Sequence, residues 1–173
     1  MEAKFSPNIK EVIQSSRDEA MRLGHDYIGC EHFLLAILSE DDGKTFQTMK
    51  LLDIDCLKLK KSIEYSIKGN ACTTSNMEKP PLTKQAYKML KLAYFEAKFF
   101  QIDIIGTEHL LLSILKDEDN TASKVLKQYG VNYNIWRYSS GAIGMKFLGY
   151  NFFFAVNALI NIIQGFSIKQ HKV

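Results

Sequence analysis

The chain has 173 residues, with 22 Lys plus Arg against 19 Asp plus Glu, a formal net charge of +3 and 46% hydrophobic residues. That composition suits one globular domain, or two small halves sharing a core. Acids and bases are interspersed, which argues against the concentrated basic face of a nucleic-acid binder. Cys30, Cys56 and Cys72 have neither metal-ligand nor redox spacing, and their odd number argues against a closed disulfide framework; a reduced, cytoplasmic setting is expected. Residues 1–10 are charged and lack an apolar stretch, so no secretory signal is expected.

Ser6-Pro7 reads as the N-cap and first position of a helix, where proline's missing N–H and fixed φ are tolerated. Ile9, Val12, Ile13, Ser16, Ala20 and Leu23 then mark one face at helical spacing, ending at Gly24. The next start is Ile28-Gly29-Cys30-Glu31-His32-Phe33-Leu34-Leu35-Ala36-Ile37-Leu38. Its glycine sits at or beside the cap, and Glu31 faces unpaired backbone N–H groups and the positive end of the helix dipole. The apolar run that follows is wide enough to bury the helix on most sides. An acidic turn, Glu40-Asp41-Asp42-Gly43, leads to a third short helix carrying Phe46, Met49 and Leu52. Asp53-Ile54-Asp55 can cap a fourth, carrying Leu57, Ile63 and Ile67. Residues 69–81 are polar and end in Pro-Pro, a linker by composition.

The series then repeats. At an offset of 77 residues (29 to 106) stands Ile105-Gly106-Thr107-Glu108-His109-Leu110-Leu111-Leu112-Ser113-Ile114-Leu115. Thr83 takes the place of Ser6 as a cap, and Ala86, Met89, Leu90, Ala93, Ala97 and Phe100 form the matching first face. The acidic turn recurs as Asp117-Glu118-Asp119-Asn120, the third helix as Ala122, Val125, Leu126 and Tyr129, and the next cap as Gly130-Val131-Asn132. The fourth helix offers Ile135, Trp136 and Tyr138 before its pattern dissolves, and no stretch alternates as a strand. The expected fold is all-α: a pseudo-twofold duplication of four-helix repeats, residues 1–68 and 82–138, joined by linker 69–81. Residues 139–173 form a divergent tail, broken by Gly141, Gly144 and Gly149 and strongly apolar over 147–163. Asn151, Asn157 and Asn161, with its short length, disfavour a membrane span. Asn157, Asn161 and Gln164 share a helical face, as in an amphipathic surface helix. A helix packed on the domain, or an extension unrelated to the duplication, is favoured.

No catalytic constellation emerges. His32 and His109 lack a Cys/His cluster, so local hydrogen bonding or packing is their expected role, with no metal and no cofactor. The acidic turns lack the alternating pattern of a calcium loop, and Lys58, Lys60 and Lys61 read as a solvated helix face. Cys30 and His32 lie too close in sequence to suggest an assembled triad. Nothing fits Gly-x-x-x-x-Gly-Lys-Ser/Thr, so ATP hydrolysis by that route is not expected and the chain is read as no enzyme on its own.

Phe5-Ser6, Leu23-Gly24-His25, the two Gly-x-Glu-His-apolar motifs and Leu82-Thr83 together resemble the Clp N-terminal repeat domain, most closely that of the ClpC type of bacterial AAA+ unfoldase subunit, over residues 5–137. The resemblance implies a compact pseudo-dimer that recruits adaptor proteins and unfolded or tagged substrates for an ATPase ring and its protease chamber. In that family some members capture phosphorylated arginine, the motif glutamate meeting the guanidinium and a Ser/Thr-capped helix start receiving the phosphate. Carried over, those positions are Glu31, Glu108, Ser6 and Thr83. Many relatives carry arginine two residues after the cap. Asn8 and Gln85 stand there, so a phosphate-steering cation is missing twice and adaptor docking is the better-supported expectation. The chain is expected to be part of a longer ATPase or a free-standing recognition domain, with a membrane-peripheral helical module as the alternative.

Overall fold

Caps and apolar periodicity place eight helices in the computed structural model, which describes residues 4–40, 43–70 and 79–145. They are α1 (Pro7–Arg22), α2 (Cys30–Ile37), α3 (Lys44–Leu51), α4 (Cys56–Ile67), α5 (Lys84–Phe99), α6 (Thr107–Lys116), α7 (Thr121–Gln128) and α8 (Tyr133–Met145). Every helix of the second half starts at the same 77-residue offset from its counterpart: Pro7 and Lys84, Cys30 and Thr107, Lys44 and Thr121, Cys56 and Tyr133. Side-chain caps fix several starts. Thr83 Oγ1 accepts from the Ala86 amide, Asp55 from Leu57 and Lys58, Asn120 from Ser123 and Asn132 from Ile135. Ser6 occupies the cap position of α1 with no side-chain cap bond.

The stops repeat as well. Gly24 and Gln101 both adopt left-handed φ after the first helix of their half, and Asp53 and Gly130 do so after the third. His25 N donates to Ala20 O, and Ile102 N to Ala97 O, in the same closing turn. Glycine serves one member of each pair; Gln101 and Asp53 accept the left-handed penalty that a Cβ imposes.

The halves do not stand as separate bundles. α2 is buried along its whole length and α6 over residues 110–115. Around them α4 packs on α7 and α3 on α8, each contact crossing between halves. Ser62 Oγ meets Tyr129 Oη at 2.6 Å, and Thr45 Oγ1 meets Thr107 Oγ1 at 2.9 Å, also across the divide. At the positions equivalent to that threonine pair stand Ala122 and Cys30, both buried. Burial pushes the Cys30 thiol up to about 12, so it behaves as a small apolar side chain.

Several expectations need correction. β1 (Lys4–Phe5) and β2 (Ile104–Ile105) pair in parallel across the halves, and an Ile28–Leu82 bridge mirrors them. Two-residue strands are too short to alternate visibly, and their pairing is set by docking rather than pattern. Leu57 is exposed; the buried face of α4 is Leu59, Ile63 and Ile67. α8 crosses residue 138 and runs to Met145, matching α4, although its sequence pattern fades early. Residues 71–78 of the linker, and the apolar tail from residue 146 with its suggested roles, lie outside the described residues. The linker's last residue is anchored: Pro81 O accepts from the Ile28 amide.

Trp136 is fully buried, with its indole N–H donating to Glu108 O at 3.3 Å, so α8 is fastened to the start of α6. Trp136→Ala should lower unfolding free energy by about 3–5 kcal/mol, measured by urea denaturation. Leu57→Ala should stay within about 0.5 kcal/mol of wild type. Equal effects would contradict this assignment of the core.

Candidate functional site

Both Gly-x-Glu-His motifs fold the same way, and each fixed residue has a local reason. Gly29 and Gly106 are N-caps with φ of −103° and −107°, angles open to any residue. What glycine leaves open here is space for the glutamate. A Cβ on Gly29 would lie 2.6 Å from Glu31 Cδ, and one on Gly106 would lie 2.7 Å from Glu108 Cδ. Each carboxylate folds back over the glycine into the volume a side chain would fill. Each histidine returns to the same glycine: His32 Nδ1 accepts from Gly29 N at 2.9 Å, and His109 Nδ1 from Gly106 N at 3.0 Å. The histidines are therefore capping groups, as expected of local hydrogen-bonding residues.

The short pairings then carry each motif to the other half. Lys4 N donates to Asp103 O and Ser6 N to Ile105 O, which sets Ser6 and the start of α1 beside Gly106 and Glu108. Thr83 N donates to Ile28 O, which sets Thr83 and the start of α5 beside Gly29 and Glu31. The four sequence-predicted residues thus form two crossed pairs, Ser6 with Glu108 and Thr83 with Glu31. Each pairing takes its helix start from one half and its carboxylate from the other, and at Ser6–Glu108 it opens into a cleft.

The two pairings differ in electrostatics. Ser6, Asn8, Lys44, Asp103, Ile104 and Glu108 line a cleft of about 480 Å³. Lys44 Nζ approaches Glu108 Oε1 at 3.5 Å, and the Glu108 side chain is 15% exposed. Glu31, at 9% exposure, is more enclosed. Burial pushes its carboxyl pKa up, opposed by a hydrogen bond from its own amide, by His25 and by the Tyr27 hydroxyl. Tyr27 stacks on His25 with ring centroids 5.3 Å apart. His32 Nδ1 already accepts a hydrogen bond from the Gly29 amide, so its Nε2–H donates to His25 Nδ1 at 2.7 Å. That assigns His25 the Nε2–H form, and among the described residues this buried nitrogen has no partner. In the other cleft Ile102 and Ile104 occupy the positions of His25 and Tyr27, and Thr121 is the counterpart of Lys44.

Lys44, Asp103, His25 and Tyr27 were not singled out as site residues from sequence. For three of them the signal was a mismatch between copies, Lys44 against Thr121, His25 against Ile102 and Tyr27 against Ile104, which marks where the two sites diverge; Asp103 matches Asp26 and gave no such signal. Among the described residues no cluster of three or more His, Cys, Asp or Glu could hold a metal. None of the helices there is long and apolar enough to cross a membrane.

Two crossed clefts on an eight-helix duplication define a pseudo-twofold, all-α double-repeat domain. The chain belongs to the Clp repeat (R) N-terminal domain family, whose pattern it matches over residues 4–129. It is 31% identical over 134 residues to the chaperone protein ClpB of Oceanobacillus iheyensis, covering 78% of this chain and 16% of that one. Against the ClpC/MecB negative regulator of genetic competence of Bacillus subtilis it is 30% identical, with the same coverage. The chain therefore spans about 16% of the length of these curated relatives. The Hsp104 N-terminal domain of Candida albicans shares the fold, with a TM-score of 0.69 at 14% identity over 84% of this chain and 92% of that chain. So does the ClpD N-terminal domain of Arabidopsis thaliana, with a TM-score of 0.63 at 22% identity over 79% and 91%. The ClpV N-domain in complex with a VipB peptide gives 0.60 at 12% identity over 76% and 81%.

Gly29→Ala and Gly106→Ala should fold, because the backbone angles suit alanine and the displaced atoms end flexible side chains. Each should change melting temperature little while expelling its glutamate carboxylate, visible as a shifted carboxyl resonance by NMR. A variant that unfolds outright would show the glycine to be structural. Burial and His25 hold His32 down to about 4. The unfolded chain takes up that proton near 6.5, so stability should decline as pH falls from about 6.5 toward 4. An NMR titration of His32 with a midpoint at 6 or above would refute the assignment.

Proposed function

We propose that this domain recruits protein partners, namely adaptors and unfolded or tagged polypeptides, to a Clp-type ATP-dependent unfoldase in the cytoplasm. Ser6, Thr83, Glu31 and Glu108 are its contact points. The observation that carries this reading is the crossed pairing of a helix start with a carboxylate in each cleft. A helix N-terminus favours anionic groups and a carboxylate favours cationic ones. Each cleft therefore suits a polypeptide segment carrying both. The ClpV N-domain, which shares the fold, is known in complex with a peptide. In this reading the domain docks its partners and leaves ATP hydrolysis and proteolysis to other parts of the machinery.

Glu31 also carries an energetic signature of use. Because burial raises the Glu31 pKa, folding favours the neutral form. The ionised carboxylate is held at some expense of stability above the unfolded pKa, as functional groups often are.

A narrower ligand, a phosphorylated guanidinium, receives unequal support from the two clefts. Asn8 and Gln85 supply no cation at the cap. Lys44 supplies one in the Ser6–Glu108 cleft, whereas Thr121 takes its place in the second half.

The test is calorimetry of the full chain with arginine-phosphorylated and unmodified unfolded proteins and with candidate adaptors. Glu31→Gln combined with Glu108→Gln should weaken partner binding at least about tenfold, equivalent to about 1.4 kcal/mol, without lowering the melting temperature at pH 7. If the double variant binds as wild type does, the glutamates are not contacts. If it unfolds, they are structural.

A further inference from the structure

We propose that the outward face of α5 is a docking strip for acidic polypeptide segments that also carry apolar side chains, leading from one cleft to the other. At 3.6 residues per turn, Lys84, Tyr87, Lys88, Lys91, Phe95 and Phe99 fall on one side of the helix, and all six are exposed. Phe95 and Phe99 are each 62% exposed and Tyr87 is 55% exposed. A single exposed aromatic residue is ordinary, whereas an aromatic cluster on one face rimmed by charge marks an interaction surface.

The fold does not require this face. α1 occupies the equivalent place in the other half and presents Pro7, Lys10, Glu11, Gln14, Asp18 and Arg22 at the same positions. Those are mixed in charge and contain no aromatic ring, yet α1 packs on α2 just as α5 packs on α6.

The charge of the strip selects the partner. Glu96, the one acid of α5, is buried against Lys116 Nζ at 2.6 Å and the Tyr133 hydroxyl at 2.9 Å, and Lys88 pairs with Asp117 at 3.3 Å, so the outward charge of the strip rests on Lys84 and Lys91 beside the rings. Lys91 lies 4.5 Å from the centre of the Tyr87 ring, and Arg137 from α8 lies 4.5 Å from that of Phe99. Acidic side chains complement these cations while apolar ones cover the rings. The strip begins at Thr83 in one cleft and ends just before Ile102, Asp103 and Ile104, which line the other. α5 is about 24 Å long, a span that about seven extended residues cover. This placement between clefts rests on their reading as docking sites; the chemistry of the strip does not.

The probe is a fluorescein-labelled peptide of about fourteen residues built from Asp, Glu, Leu and Phe, a length that spans the strip with residues to spare. Its control replaces the acids by Lys. Anisotropy with the full chain should show binding of the acidic peptide alone, weakening as salt rises. Phe95→Ser with Phe99→Ser, and separately Lys84→Glu with Lys91→Glu, should each weaken it about tenfold or more. Gln14→Glu on α1 should leave it unchanged. Thermal melts confirm that the variants fold. No binding, unchanged affinity in the strip variants, or binding only to oligothymidine or anionic phosphatidylglycerol vesicles would overturn the proposal. Glu31→Gln with Glu108→Gln separates the two readings. Binding of this peptide lost there and kept in the strip variants overturns the strip, whereas the clefts stand or fall on the calorimetry with adaptors and unfolded proteins.

Discussion

Two carboxylates occupy space that any other residue at Gly29 or Gly106 would claim for itself. Much of the site's geometry descends from that steric exchange. With the glycine bare, the glutamate of the first turn curls back instead of pointing away, and the histidine one position later ties down the glycine amide. Gly-x-Glu-His is thus one cooperative turn rather than independent preferences, which explains why all three residues recur together at the same offset. The same turn also presents the carboxylate toward the start of a helix from the opposite half.

That crossing is secured by very little regular structure. A two-residue parallel pairing on one side and an isolated bridge on the other bring Ser6 and Thr83 to their carboxylates. Behind them the α4–α7 and α3–α8 contacts, with Trp136 and the Ser62–Tyr129 and Thr45–Thr107 hydrogen bonds, hold the halves in register. The buried acids show two ways of keeping charge in such a core. Glu96 is paired directly with Lys116 and serves packing. Glu31 has only hydrogen bonds and a nearby histidine against its desolvation, and it lies at a cleft.

The sequence made the duplication, the eight helix starts and most caps legible, because caps and 3.6-residue periodicity are local signals. Leu57 misled because a four-residue spacing from Leu59 fits the α4 face better, and only packing decides between two nearby leucines. The end of α8 was hidden by its glycines, whose weak helix propensity blurs the pattern there. The motif residues pointed to the site, but not to its crossed assembly: pairing between residues so far apart in the chain leaves no periodic trace. Lys44 and the His25–Tyr27 pair were missed for a related reason. They break the repeat, and a search for repetition weights agreement over difference.

The crossed clefts bear on ancestry. Neither half can complete a cleft from its own residues, so a lone copy of this four-helix unit would need a twin, associating through a self-complementary surface. Fusion in tandem turns that concentration-dependent encounter into an intramolecular one. It also releases the two copies from identity: once both are encoded in one polypeptide, a lysine can enter one cleft and a tyrosine–histidine stack the other without either change being imposed twice.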